Sequence, residues 1–447
     1  MIVLIKILQF VLSLSIIVIV HEFGHFLFAK IFKTRVEKFY LFFDPWFSIF
    51  KFRKGDTEYG VGWLPLGGYV KISGMIDESM DKEQMKKPPE PYEFRSKPTW
   101  QRLLIMVGGV FFNFILAGLL YIMVLFTWGR TYLPTDNVKY GIVTDSTGHA
   151  LGLINGDRVL SIDGNHIENF YELRQDIVLN SREKLTVKRG NDIVDIPITN
   201  EYIKRVIKGE GRIEARIPNN PFIIEDYMKV SPAKEAGVLI GDKLLGIDGQ
   251  YFEFADEYQT YLKDKTGSEL TMNLLRDGQE VDIAFTTTPE GMMGVVRNSP
   301  VASEIFDFEV LKYNFFQSVP AGISMGVETM QNYLKQFKII FSKDTKAYES
   351  LGGFITIGSI FPGVWNWQSF WNLTAFLSII LGIMNILPIP ALDGGHVLFL
   401  LYEVVTGRKP SDKFLEYAQI TGMILLLALL LFANGNDVVR LIKNIRA

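Results

Sequence analysis

The apolar positions of this chain gather into long blocks separated by stretches dense in charge. Four blocks predict membrane-spanning helices: roughly Ile2 to Ala29, Leu103 to Trp128, Phe370 to Ile389 and Tyr417 to Phe432. Between the first two, Arg35 to Met75 is too apolar for a simple loop and has no helical period. Phe39-Tyr40-Leu41-Phe42-Phe43 and the run Val61 to Lys71 predict short strands punctuated by turn residues. Backbone of that kind near a membrane must be buried in protein or line a wet cavity, since lipid cannot satisfy its amides. The segment is therefore expected to be a β-hairpin re-entering the bilayer. Asp77 to Lys97, rich in charge and carrying Pro88, Pro89 and Pro91, predicts a mobile or surface-bound stretch. From Val310 to about Lys346, Phe315, Phe316, Met325, Met330, Leu334, Phe337 and Ile340 fall at helical spacing. Such a stripe predicts a packing face, with a helix lying at the membrane interface as the alternative.

The region from about Leu133 to Asn298 repeats itself. Gly152, Gly156-Asp157 and Ile162-Asp163-Gly164 return in the same order as Gly237, Gly241-Asp242 and Ile247-Asp248-Gly249, each copy led by a serine, Ser146 or Ser231. A duplicated unit of this length implies two tandem globular modules of mixed α/β structure. Their shared pattern resembles the bacterial PDZ domain, which binds extended segments by strand addition.

Composition sharpens the membrane reading. Of the 447 residues, 48% are hydrophobic and 13% aromatic, rich for a purely soluble protein. The formal net charge of -3 gives no general case for nucleic acid, and the absence of cysteine excludes disulfides and thiolate-ligated metal. Lys30, Lys33, Arg35 and Lys38 follow the first span whereas Lys6 alone precedes it. The positive-inside rule therefore puts the N-terminus outside and the end of the first span towards the cytoplasm. The N-terminus looks like the start of a secretory signal peptide but lacks small residues at a cleavage site, so a retained helix is expected.

What occupies that place instead is His21-Glu22-Phe23-Gly24-His25. Residues four apart share a helix face, so both imidazoles can grip one metal while the intervening glutamate reaches a bound water. A carboxylate at membrane depth costs about 2.5 to 3.5 kcal/mol on insertion scales, which disfavours Glu22 without a metal, a partner or water. Catalytic zinc takes a third protein ligand, and with five histidines in the chain that ligand must be sought elsewhere. The best polar cluster is Asn385 to His396, where Asp393 offers an oxygen and Pro388 and Pro390 break the helix. Asp393 can equally be the N-cap of a helix running from His396 towards Val405; His396 and Glu403 compete as ligands. His149 and His166 are expected to be surface residues of the first module.

The zinc-binding signature in the first span, Pro65-Leu66-Gly67-Gly68-Tyr69 in the hairpin, the tandem modules and the N-x-x-P-x-P-x-L-D-G run from Asn385 to Gly394 together resemble the RseP-type site-2 proteases of bacteria. The resemblance implies an intramembrane Zn2+ endopeptidase of regulated intramembrane proteolysis, with His21, His25 and Asp393 on the metal and Glu22 as general base. It implies single-span membrane proteins as substrates, of the anti-sigma-factor type or remnant signal peptides, bound by Asn385, Pro388, Pro390, Gly67, Gly68 and Tyr69. It also implies the bacterial inner membrane, with the lipid bilayer as partner, the PDZ-like pair outside and the His-Glu motif near the cytoplasmic side. The expected fold is a polytopic α-helical membrane protein of about four spans, with the hairpin and two PDZ-like domains. Its expected divisions are 1–132, 133–218, 219–309, 310–368 and 369–447. Two departures stand out. Gly109-Val110-Phe111-Phe112-Asn113 keeps the glycine and asparagine of the family's G-P-x-x-N in the second span but has valine in the proline place, and Gly352-Gly353 replaces a Gly-Pro. The rival readings are an inert membrane scaffold that binds peptides and, more remotely, a metal transporter.

Overall fold

The computed structural model describes residues 1–65, 67–75, 88–219, 221–298, 302–340 and 352–446. Leu66, much of the charged stretch after Asp77 and the tail of the stripe beyond Ile340 therefore lie outside the described residues. The chain divides into two compact units, one of Met1–Arg130 with Lys312–Ala447, the other Thr131–Leu311.

Among the described residues of the first unit, four helices are long and apolar enough to cross a membrane: Ile2–Ile31, Thr99–Thr127, Trp367–Ile386 and Lys413–Ile442, the last within a helix that runs from Asp412 to Arg446. The first two cross where Gly24 meets Gly108. A Cβ at Gly24 would strike the Gly108 carbonyl, so small residues let the two backbones approach, as at other membrane helix contacts. The third spanning helix packs on the second through Ala375, Ile379 and Ile383 against Ala117, Leu120 and Tyr121. Met325, Met330 and Phe337 of the helix Phe315–Ile340 join that cluster, as expected of a packing face, while Phe315 and Phe316 are exposed.

The segment after the first helix forms a sheet rather than the single hairpin expected. Its strands are β1 (Val36–Leu41), β2 (Phe43–Lys54), β3 (Thr57–Leu64) and β4 (Tyr69–Ile72), in spatial order β2-β3-β1-β4. A hairpin does join β2 to β3 at Gly55, where φ is +62°. The run Val61 to Lys71 is split between two strands, β3 ending at Leu64 and β4 starting at Tyr69.

A short helix, Asp393–Thr406, follows the third span and is tied to the second. Buried Arg102 donates to Glu403 Oε1 at 2.5 Å and to the Lys97 carbonyl at 2.9 Å, and Thr99 donates to the same Glu403 oxygen at 3.0 Å. Removing one partner strands a buried charge. Glu403→Met, which leaves buried Arg102 unpaired, is expected to cost about 3 to 5 kcal/mol, with most of it recovered in the Arg102→Met, Glu403→Met double variant, as read by denaturant unfolding in detergent.

The second unit carries the repeat in its geometry. One core gathers Leu133, Ile142, Leu153, Val159, Ile162, Leu185 and Val187; another gathers Phe222, Ile224, Leu244, Ile247, Met272 and Leu274. Phe306, inside the expected second division 219–309, packs into the first core instead. In each copy a buried aspartate closes the turn. Asp157 accepts from the Ile154 amide and from both Nε and Nη2 of Arg189, and Asp242 does the same with the Leu239 amide and Arg276. His149 and His166 are exposed, as expected.

Arg276 beside Asp242 holds its carboxyl below the ordinary carboxylate range. The folded pKa therefore lies under the unfolded value of about 3.9, and the contribution to stability is full above that value and lost as pH falls through the folded one. Asp242→Asn is expected to speed hydrogen exchange in the strand Glu269–Arg276 at neutral pH and to matter progressively less as pH falls below the unfolded value of about 3.9.

Candidate metal centre

His21 and His25 lie one turn apart on the first helix and are both buried. Their Nε2 atoms stand 3.3 Å from each other, and Asp393 Oδ2 lies 3.1 Å from one and 3.3 Å from the other. That oxygen is enclosed and, among the described residues, has no hydrogen-bond partner. Two imidazole nitrogens and a carboxylate oxygen within 4.8 Å of one another form a donor set suited to a divalent ion of zinc type. Glu22 lines the same cavity, one residue along.

The ring orientations have identifiable causes. His25 Nδ1 is 2.8 Å from the Ile105 carbonyl, which can only accept, so Nδ1 carries the proton and Nε2 keeps its lone pair. Gly109 of the second helix faces both rings. A Cβ there would lie 2.7 Å from His21 Cε1 and closer still to His25 Nε2, so no side chain fits.

Asp393 reaches the histidines because of how its loop is built. The third helix stops at Ile386, and Leu387 turns extended ahead of Pro388. Ala391 adopts φ +78°, and its amide is held by Gln419 Oε1 of the fourth span at 3.2 Å. At Gly394 a Cβ would collide with the Leu387 and Ile386 carbonyls, so glycine is needed for the next helix to start where it does. Asp393 opens that helix with no side-chain capping bond to it, its carboxylate turned to the histidines instead.

The other expected site residues separate into groups. Asn385 Nδ2 lies 3.2 Å from His21 Nε2, and Asn385, Gly67, Gly68 and Tyr69 line a cavity of about 750 Å³ together with the metal-type cluster. Pro388 and Pro390 are not on its wall; they end the helix and shape the loop. Glu403 is engaged by Arg102, away from the cluster, and His396 lines the cavity without joining it. The strand β4 forms one side of the cavity. It pairs with β1 on one edge and ends the sheet order on the other. Sequence reasoning singled out Gly109 and Asn113 without a role and missed Gln419; the four-residue spacing of the first two was the available signal.

Comparison with known proteins adds the kinship. The profile of peptidase family M50 matches residues 9–429. The chain is 28% identical to the regulator of sigma E protease of Haemophilus influenzae, over 97% of this chain and 98% of that protein. It is 27% identical to the regulator of sigma-E protease RseP of Salmonella typhimurium, with the same coverage. A Neisseria meningitidis protein provisionally named a zinc metalloprotease is 28% identical over 97% of this chain and 99% of its own length.

Proposed function

This chain belongs to peptidase family M50, the site-2-type metalloendopeptidases that work with zinc, and we propose that it cleaves the transmembrane segments of single-span membrane proteins. Four candidate spans and RseP-type relatives mark an inner-membrane protein. The observation that carries the proposal is the convergence of His21, His25, Asp393 and Glu22 on one cavity bordered by the edge strand β4. The reading of an inert scaffold is not favoured, because the family and the named relatives are proteases.

In this reading His21, His25 and Asp393 hold the zinc. Bound there, zinc supplies Lewis-acid activation of water and of the scissile carbonyl. Glu22 takes the proton of the attacking water and passes it to the leaving amide nitrogen. Asn385, beside His21 and on the cavity wall, positions the substrate backbone near the bond to be cut. A substrate helix hides its amides in its own hydrogen bonds, so it must unwind before attack. The outer edge of β4 offers those amides replacement partners by strand addition, with Gly67, Gly68 and Tyr69 beside the extended segment.

The sheet β1–β4 is proposed to re-enter the bilayer, supported by exposed Trp46, Phe47, Ile49 and Phe50 on β2. The modules 133–218 and 219–309 are proposed to be PDZ-like domains on the outer side that filter or dock substrates. Substrates of the anti-sigma-factor type are suggested by the relatives' names as sigma E regulators. In proteoliposomes, cleavage of a single-span substrate within its membrane segment is expected to stop on chelation and return with added zinc. Cleavage that persists in His21→Ala, or without metal, sinks the proposal.

A further inference from the structure

We infer that Asn113 is a positioning residue for His21, its side-chain oxygen accepting the proton on His21 Nδ1 so that Nε2 stays free for the metal. This rests on the ligand set proposed above. Asn113 sits in the second spanning helix with no solvent exposure at all, where an amide is costly unless hydrogen-bonded. Among the described residues its side chain has one hydrogen-bond partner, the His21 ring, with Nδ2 3.1 Å from Nδ1 and Oδ1 enclosed without a partner. The two ends of a primary amide are nearly isosteric, so Asn113 can present either to the ring. Ligation decides between them. Nε2 can donate its lone pair to a metal only if the ring proton is on Nδ1, and Nδ1–H then needs an acceptor, the amide oxygen.

Two further observations support the assignment. Ser378 of the third span donates to the Asn113 main-chain carbonyl at 2.8 Å, which anchors the helix at this residue. His25 already has its counterpart in the Ile105 carbonyl. Ile105, Gly109 and Asn113 follow one another at four-residue steps, hence on one helix face. That face presents an acceptor for His25, bare backbone where the rings lie, and an acceptor for His21. It gives a physical reason for the glycine and asparagine that the sequence keeps there.

The test is zinc affinity of the full-length protein in detergent, by competition with a chelating dye, with the absorption of the cobalt-substituted form as a second readout. Asn113→Ala is expected to weaken zinc about 10- to 100-fold. Asn113→Asp, whose carboxylate accepts the same proton, is expected to bind as tightly as the parent or more so. Thermal unfolding of the metal-free variants checks that they fold. If Asn113→Ala does not fold, Asn113→Asp decides alone: parental or tighter zinc with an unchanged cobalt spectrum supports the inference, and weakened zinc in a folded protein overturns it. Parental affinity in a folded Asn113→Ala overturns it as well, while loss of zinc in His21→Ala leaves the ligand set standing. Parental zinc in His21→Ala overturns the ligand set itself.

Discussion

Replacing Glu22 by glutamine is expected to leave bound zinc at the parental level and to lower the rate of substrate cleavage by about 10²- to 10⁴-fold. Glutamine fills almost the same volume, so the first helix and its two histidines have no reason to move. What it loses is the capacity to take a proton from water and hand it on. Glu22 reaches the cavity one residue from His21 yet stands outside the set of three converging donor atoms, which is why chemistry and metal binding should separate here. His21→Ala should lose both together. Cleavage by Glu22→Gln within a few-fold of the parent would remove Glu22 from the proton-transfer role.

Gly109→Leu is expected to abolish stoichiometric zinc binding and, with it, cleavage, although none of the proposed ligands is altered. The space its side chain would need is taken by the His21 and His25 rings. Overpacking of this kind commonly costs about 1 to 3 kcal/mol, small enough for the spanning helices to stay assembled while the rings are pushed off their geometry. Metal analysis of the purified variant, beside its unfolding profile, checks this. A Gly109→Leu protein with one equivalent of zinc would show that the rings can retreat and still bind.

The parts of this molecule written in short-range spacing were legible from the chain. His21 and His25 share a face by helical period alone, and the Pro-rich break before Asp393 marks itself. The four spans were legible too, but not all their ends. Asn434-Gly435-Asn436 reads as a stop, yet the last helix runs on to Arg446. Asn434 and Asp437 are occupied there by the Phe354, Gly353 and Thr356 amides, contacts from far along the chain that override local preference. The strand Phe43–Lys54 was hidden because Pro45 interrupts its alternation; at the end of the sheet it tolerates a residue with no amide proton. Gly109 and Asn113 stood out in the sequence, but which ring each meets depends on how two helices cross. Spacing within one helix does not carry that information. Arg189 and Arg276 likewise give no sign in the sequence that they close the turns of the repeat.

The donor atoms of the candidate centre come from opposite ends of the chain, His21 and His25 near its start and Asp393 near its end. At bacterial synthesis speeds, roughly 20 to 70 s separate the emergence of the two halves from the ribosome. Throughout that interval the first helix carries two of the three donor atoms without the third. The order of synthesis thus leaves the candidate centre one donor short until nearly all of the chain has been made.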